Sequence, residues 1–98
     1  MYKSIILPLA KEDIREAVLW YNERQKGLDK KFISEVREKV KFIRQYPKAA
    51  NQRYDNIRTA VLKIFPFIIH YTVDDSNKTV IVSAVFHTSR NPDFWKER

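Results

Sequence analysis

Cysteine is absent from the 98 residues, which excludes a disulfide scaffold, a thiolate nucleophile and any cysteine-held zinc or iron–sulfur centre. Two histidines are too few for a zinc site, so no metal is expected. Glycine occurs once, at Gly27, and that excludes a phosphate-cradling glycine loop and a G-x-S-x-G nucleophile elbow. No cofactor is expected. Long apolar runs are missing too: Ile5, Ile6 and Leu7 are followed at once by Pro8, too short a stretch for a signal-peptide core or a membrane span. The expected location is the cytoplasm, with no membrane partner.

What the chain does have is 44% hydrophobic residues, among them six Phe, five Tyr and two Trp. That is enough apolar surface for one small domain spanning 1–98, though a chain this short buries a modest share of it. Nineteen Lys and Arg against twelve Asp and Glu give a net charge of +7, spread over both halves. Such a field favours anionic partners: nucleic acid, an acidic protein segment or anionic lipid.

Residues 2–8 are β-rich and close on Pro8, which suits a strand end. From Lys11 onward, Ile14, Ala17, Val18 and Tyr21 recur at helical spacing, with Glu12 and Asp13 placed for a first turn. This helix is expected to end near Gly27, the residue suited to a left-handed turn. Asp29 is the expected cap of a second helix, whose face is Phe32, Ile33, Val36, Val40 and Ile43 and whose stop is Pro47. The short link makes the two an antiparallel hairpin. After a polar surface connection over 48–56, strands follow at 57–64, 67–73 and 79–87, with a corner at Phe65–Phe67 and a turn at 74–78. In the last strand Val80, Val82, Ala84 and Phe86 should share one face, and Ile81, Ser83, Val85 and His87 the other. The expected fold is α+β, in the order β-α-α-β-β-β, with the helix hairpin on one face of an antiparallel sheet. The opposite face stays open and partly apolar, which calls for a partner.

Chemistry-bearing residues are few. His87 ends a strand close to Arg90, a pairing that could move a proton and clamp a phosphate, or bond only to backbone and to Asp93. Arg58 and Lys63 put cations in a strand, as a positive patch or as snorkelling edge residues. His70 reads as a packed sheet residue. Trp20, Tyr21, Phe32 and Val36 read as core, with Trp20 able to reach a groove. Phe94 and Trp95 either tack the tail onto the sheet, the favoured reading, or anchor a partner.

Taken in order, A-x-x-D-I-x-x-A-x-x-W-Y (Ala10 to Tyr21), G-L-x-x-x-F (Gly27 to Phe32), Pro47, I-R (Ile57, Arg58), F-P-F-x-I-x-Y (Phe65 to Tyr71) and V-F-H-T-S-R-N-P (Val85 to Pro92) resemble the RelE/ParE superfamily of type II toxin–antitoxin toxins. The ParE-like, plasmid-stabilisation branch looks closest. The resemblance implies a bacterial toxin that arrests growth until a cognate antitoxin wraps it, with Trp20, Tyr21, Phe67 and Tyr71 as antitoxin contacts. A disordered, acidic segment that folds on binding suits a +7 domain. A homodimer and a toxin–antitoxin hetero-oligomer both remain open.

The superfamily holds two mechanisms. The ribosome-dependent mRNA endonucleases resemble this chain at Arg58 and, in YoeB-like members, at His87. Those members carry a tyrosine after the histidine and an earlier glutamate. Here Thr88 follows His87, Asp55 is the sole acid between Lys39 and Val73, and no tyrosine follows Tyr71. ParE-like toxins bind DNA gyrase and trap it on DNA without chemistry of their own, and the resemblance favours that role, with Arg58, Lys63, His87, Arg90, Trp95 and Arg98 as target contacts. The alternative is an endonuclease with His87 as acid or base and Arg58 and Arg90 as the clamp. A basic nucleic-acid-binding module is a further alternative, disfavoured because aromatics interleave with cations only in the tail.

Overall fold

The computed structural model describes residues 1–96. Strand β1 (Lys3–Ile6) leads into helices α1 (Pro8–Arg24) and α2 (Leu28–Gln45). Strands β2 (Gln52–Tyr54), β3 (Ile57–Val61), β4 (Phe67–Asp74) and β5 (Thr79–His87) follow, and a short helix α3 (Pro92–Trp95) ends the described chain. The sheet order is β1-β5-β4-β3-β2. The α+β class and the helix hairpin are as expected; the sheet is antiparallel except at β1, which pairs with β5 in parallel. Short links reverse the chain at every step, and an even number of reversals separates β1 from β5, so the two must run the same way.

Several boundaries move, each for a local reason. Helix α1 starts at Pro8, not Lys11, because proline at the first helical position gives up an N–H that would have no partner anyway. Glu12 and Asp13 therefore lie past the first turn. Gly27, at φ 88, precedes α2, so Asp29 sits within the first turn instead of capping it. The connection over 48–56 contains the three-residue β2, folded back on β3 through a turn in which Asp55 takes φ 48. Strand β3 ends at Val61: the Leu62 N–H still donates across to the Phe67 carbonyl at 2.9 Å, but the N–H groups of Lys63, Ile64 and Phe65 turn away and all donate to the Glu35 carboxylate at 2.9–3.0 Å.

That carboxylate is partly desolvated, which pushes its pKa up, but the bonds from Ile64, Phe65 and Lys63 outweigh this and hold it below its ordinary value. A lowered folded-state value means the stabilisation is present above the unfolded-state pKa, about 4.3, and disappears as pH falls through the folded one. Glu35→Gln is expected to flatten stability against pH across the acid range in urea titrations. Glu35→Ala, which strips charge-assisted bonds, is expected to cost about 2 kcal/mol at neutral pH.

Beneath the helices lies the main core. Phe32, Val36, Val40 and Ile43 of α2 and Ala10, Ala17 and Tyr21 of α1 meet Phe67, Ile69, Tyr71, Val80, Val82 and Val85 of the sheet. Residues four and seven apart on α2 form one stripe, as its spacing requires. Tyr71 is buried, which raises its hydroxyl pKa, and that hydroxyl donates to the Pro47 carbonyl at 2.9 Å. On the other face Ala84, Phe86 and Trp95 form a second cluster with Tyr54 and Ile68. Ala84 and Phe86 therefore part from Val80 and Val82, contrary to simple alternation. The cause is a register shift: His70 faces Ala84 while Tyr71 faces Val82, leaving Ser83 as the extra residue. Val85 and His87 are thereby turned toward the helices.

Candidate functional site

The shift at Ser83 determines where His87 goes. Val85, on the helix side, sends its N–H to the Asp13 carboxylate of α1 at 3.0 Å, which fastens the helix to the end of β5. Two residues on, His87 enters a cleft of about 180 Å³ lined by Asp13, Glu16, Trp20, Phe67 and Arg90. The Phe67 ring meets the imidazole edge-on, with centroids 5.2 Å apart at 80°.

The hydrogen bonds of His87 settle its tautomer. The Ser89 N–H donates to Nδ1 at 3.0 Å, and the Ser89 hydroxyl lies 2.8 Å from the same nitrogen. A nitrogen that accepts from an amide carries no proton, so in the neutral ring the proton is on Nε2. His87 thus offers the cleft a donor; it can bond a partner's oxygen, but it is not poised to take a proton as a base.

Arg90 packs its guanidinium on Phe94 and Phe86, 4.9 and 5.3 Å from the ring centroids. Such stacking leaves the edge of the guanidinium able to reach an anion. Lys63 is exposed on the loop held by Glu35, and that loop touches the end of the same strand, since the Thr88 N–H donates to the Pro66 carbonyl at 2.8 Å. Lys63, His87 and Arg90 are thus gathered at one end of the sheet.

Arg58 is elsewhere. It pairs with Tyr71 whereas His87 pairs with Phe67, a separation of about 13 Å along β4 at strand rise. Its guanidinium donates to the Ala50 carbonyl and lines a polar basin with Lys48, Asp74 and Asp75. The histidine and the two arginines do not share one pocket. Trp95 is buried at 7% exposure, as the tacking reading expects, and reaches a partner only if α3 lifts away. Arg98 lies outside the described residues.

Of the expected antitoxin contacts, Tyr21, Phe67 and Tyr71 are core residues at 8%, 9% and 1% exposure, whereas Trp20 is half exposed at 51%. Burial takes the first three off the surface. Trp20 turns outward because Tyr21 takes the inward position; the two rings meet edge-on at 5.2 Å, and Arg24 covers the indole at 4.3 Å. The sequence reading overlooked Asp13 and Glu16 as neighbours of His87. Their spacing from Trp20, at i, i+3 and i+7, is the signal that puts all three on one helix face. Among the described residues no group of three His, Asp or Glu side chains is arranged to hold a metal ion, and no helix is long and apolar enough to cross a membrane.

Comparison with known proteins bears on this geometry. A sequence model for the ParE toxin of the type II toxin–antitoxin system parDE matches residues 5–92. Among solved structures, the chromosomal ParDE toxin–antitoxin system of P. aeruginosa is similar in fold with TM-score 0.72, at 18% identity over 91% of this chain and 98% of that one. The isolated E. coli RelE toxin superposes with TM-score 0.66, at 15% identity over 99% of this chain and 95% of that one. The E. coli RelBE toxin–antitoxin complex also gives 0.66, at 16% identity over 92% and 100%. No curated protein sequence gave a match.

Proposed function

We propose that this chain, which belongs to the ParE toxin family of type II toxin–antitoxin systems, arrests growth by binding DNA gyrase and holding it on DNA until a cognate antitoxin neutralises it. The observation that carries the reading is that the three residues the endonuclease alternative calls on, His87, Arg90 and Arg58, do not share one pocket. In-line attack by a ribose hydroxyl requires a proton acceptor, a proton donor and a cation around one phosphate. Here the histidine presents a donor and Arg58 lies about 13 Å along the strand from it. A binding surface asks for less: Lys63, His87 and Arg90 at one end of the sheet, with Trp20 exposed in the cleft of His87 and Arg90, suffice to dock an anionic, partly apolar protein surface.

Solved toxin–antitoxin assemblies of similar fold support a cognate antitoxin as the second partner. The open side of the sheet offers it a place. Trp95 and Tyr54 cover part of that face, but Ile5, Leu7 and Leu9 remain 50%, 39% and 57% exposed. Leu7 and Leu9 border a cavity of about 450 Å³ shared with Ile57 and Trp95. An acidic segment studded with apolar residues would bury that strip and offset the +7 charge.

One observation favours the endonuclease reading: the Asp13 and Glu16 carboxylates share the cleft of His87 and Arg90. A single experiment separates the two. The toxin is expressed without antitoxin and ribosome-bound message is mapped. Growth arrest with intact message is expected, and codon-phased cuts would overturn the gyrase reading. His87→Ala is expected to retain toxicity within about tenfold, as for one contact among several. Loss of a general acid or base would cost about 100-fold or more.

A further inference from the structure

Among the described residues, Ile64 is the most exposed large apolar side chain, at 79%. Such exposure is ordinary on a loose loop, but residues 62–66 are held firmly. The Leu62 N–H donates to the Phe67 carbonyl at 2.9 Å and the Phe67 N–H to the Phe65 carbonyl at 2.8 Å. The amides of Lys63, Ile64 and Phe65 converge on the Glu35 carboxylate. Phe65 is buried, and its ring meets Tyr21 and Phe32 edge-on with centroids 4.9 and 5.4 Å away. The fold itself does not call for isoleucine at 64: the bonds to Glu35 come from the backbone, so any residue with an N–H would close the loop as well. A side chain exposed on a fixed backbone is ordered before a partner arrives, and little conformational entropy is lost when it binds.

The surroundings of Ile64 define the kind of partner. With Leu28, Phe65 and Pro66 it walls a groove of about 770 Å³, so an apolar knob stands beside an apolar recess. Lys63, exposed, precedes it in the chain. The Pro66 carbonyl takes the Thr88 N–H at 2.8 Å, which joins this loop to the strand end that carries His87 and Arg90. Knob and recess therefore run on into the cationic end of the sheet. A phosphodiester backbone has no use for an aliphatic knob, and a second copy of this chain would bring its own +7 charge against Lys63. A protein surface that is acidic and carries an apolar pocket satisfies both features.

We propose that Ile64 is the apolar anchor of the target-docking surface, inserting into an apolar pocket of the target protein while a carboxylate beside that pocket meets Lys63. The inference rests on the reading of the chain as a gyrase-binding toxin and names the residue that gives the cationic sheet end its choice of partner. Charge brings an acidic surface close, whereas a fixed aliphatic knob accepts only a surface with a matching hollow.

The test uses the full chain with purified gyrase and relaxed plasmid. Ile64→Asp is expected to raise the toxin concentration that halves supercoiling by about tenfold or more, as loss of a central anchor does, with the urea midpoint unchanged because so exposed a side chain adds little to folding. Ile64→Val keeps a β-branched knob and is expected to stay within about fourfold, the worth of one buried methylene. Tyr46→Asp, at a position 58% exposed beyond the far end of α2, is expected to leave inhibition unchanged. A wild-type chain that spares gyrase but still arrests growth would end the gyrase reading alone; the anchor is then read as loss of arrest in Ile64→Asp at equal soluble protein. Inhibition and arrest both intact in Ile64→Asp would overturn the proposal, as would an equal loss in Tyr46→Asp. It would also fall if Ile64→Asp weakened only capture by the cognate antitoxin or changed the oligomeric state on gel filtration, or if the wild-type chain neither inhibited gyrase nor arrested growth.

Discussion

Phe32→Ala is expected to destabilise the chain by about 4 kcal/mol, the usual cost of deleting a buried aromatic ring. Phe32 is fully buried at 0% exposure. Its ring packs against Tyr21, Phe65 and Phe67 at centroid distances of 5.5, 5.4 and 5.0 Å, so it joins α1, α2, the Glu35-held loop and β4 in one contact. No neighbour is free to fill the hole, because each is itself fixed by another element. For a chain of this size, about 4 kcal/mol is a large share of total stability. Urea unfolding should show the midpoint fall sharply with the slope unchanged. Trp20→Ala, one position from Tyr21 on the same helix, should shift stability by less than about 0.5 kcal/mol.

Trp95→Ala is the second large effect, and it should differ in kind. The indole is packed 4.6 Å from His70 and 5.9 Å from Tyr54, centroid to centroid, with Arg53 over its face at 5.4 Å. Removing it takes away about 3 kcal/mol of burial and packing, but α3 has four residues and no core of its own. The expected result is local release of residues 92–96 while the layer under α1 and α2 stays folded. Hydrogen exchange should accelerate in α3 and around Phe86, with protection retained at Phe32 and Val82. Loss of protection throughout would show that the two clusters fold as one unit.

The contrast between these two substitutions also shows what the amino-acid sequence made legible. Helix α2 could be read almost residue for residue, because Phe32, Val36, Val40 and Ile43 follow the helical repeat and all four are buried. The direction of β1 was not readable: with residues 48–56 taken as a plain connection the chain reverses an odd number of times between β1 and β5, and it is the short β2 that makes the count even and the pairing parallel. The extra residue at Ser83 was not readable: Val80 to Phe86 alternates cleanly, and what breaks the alternation is the pairing with β4 and the Asp13 carboxylate taking up the Val85 N–H. That shift turns His87 into the cleft beside Trp20. Similarly, Arg58 and His87 look like partners in sequence because both are basic groups in strands. Only the register, Arg58 opposite Tyr71 and His87 opposite Phe67, sets them apart along β4.

The central claim concerns docking without chemistry: a ParE-family toxin whose cationic sheet end engages gyrase. The most direct measurement incubates the purified chain with DNA gyrase and relaxed plasmid, then follows supercoiling and the amount of enzyme trapped on cleaved DNA. The account expects supercoiling to stop at toxin concentrations comparable to the enzyme, cleaved complexes to accumulate, and both effects to vanish when the cognate antitoxin is added. Full supercoiling with saturating toxin that still arrests growth in the cell would contradict it.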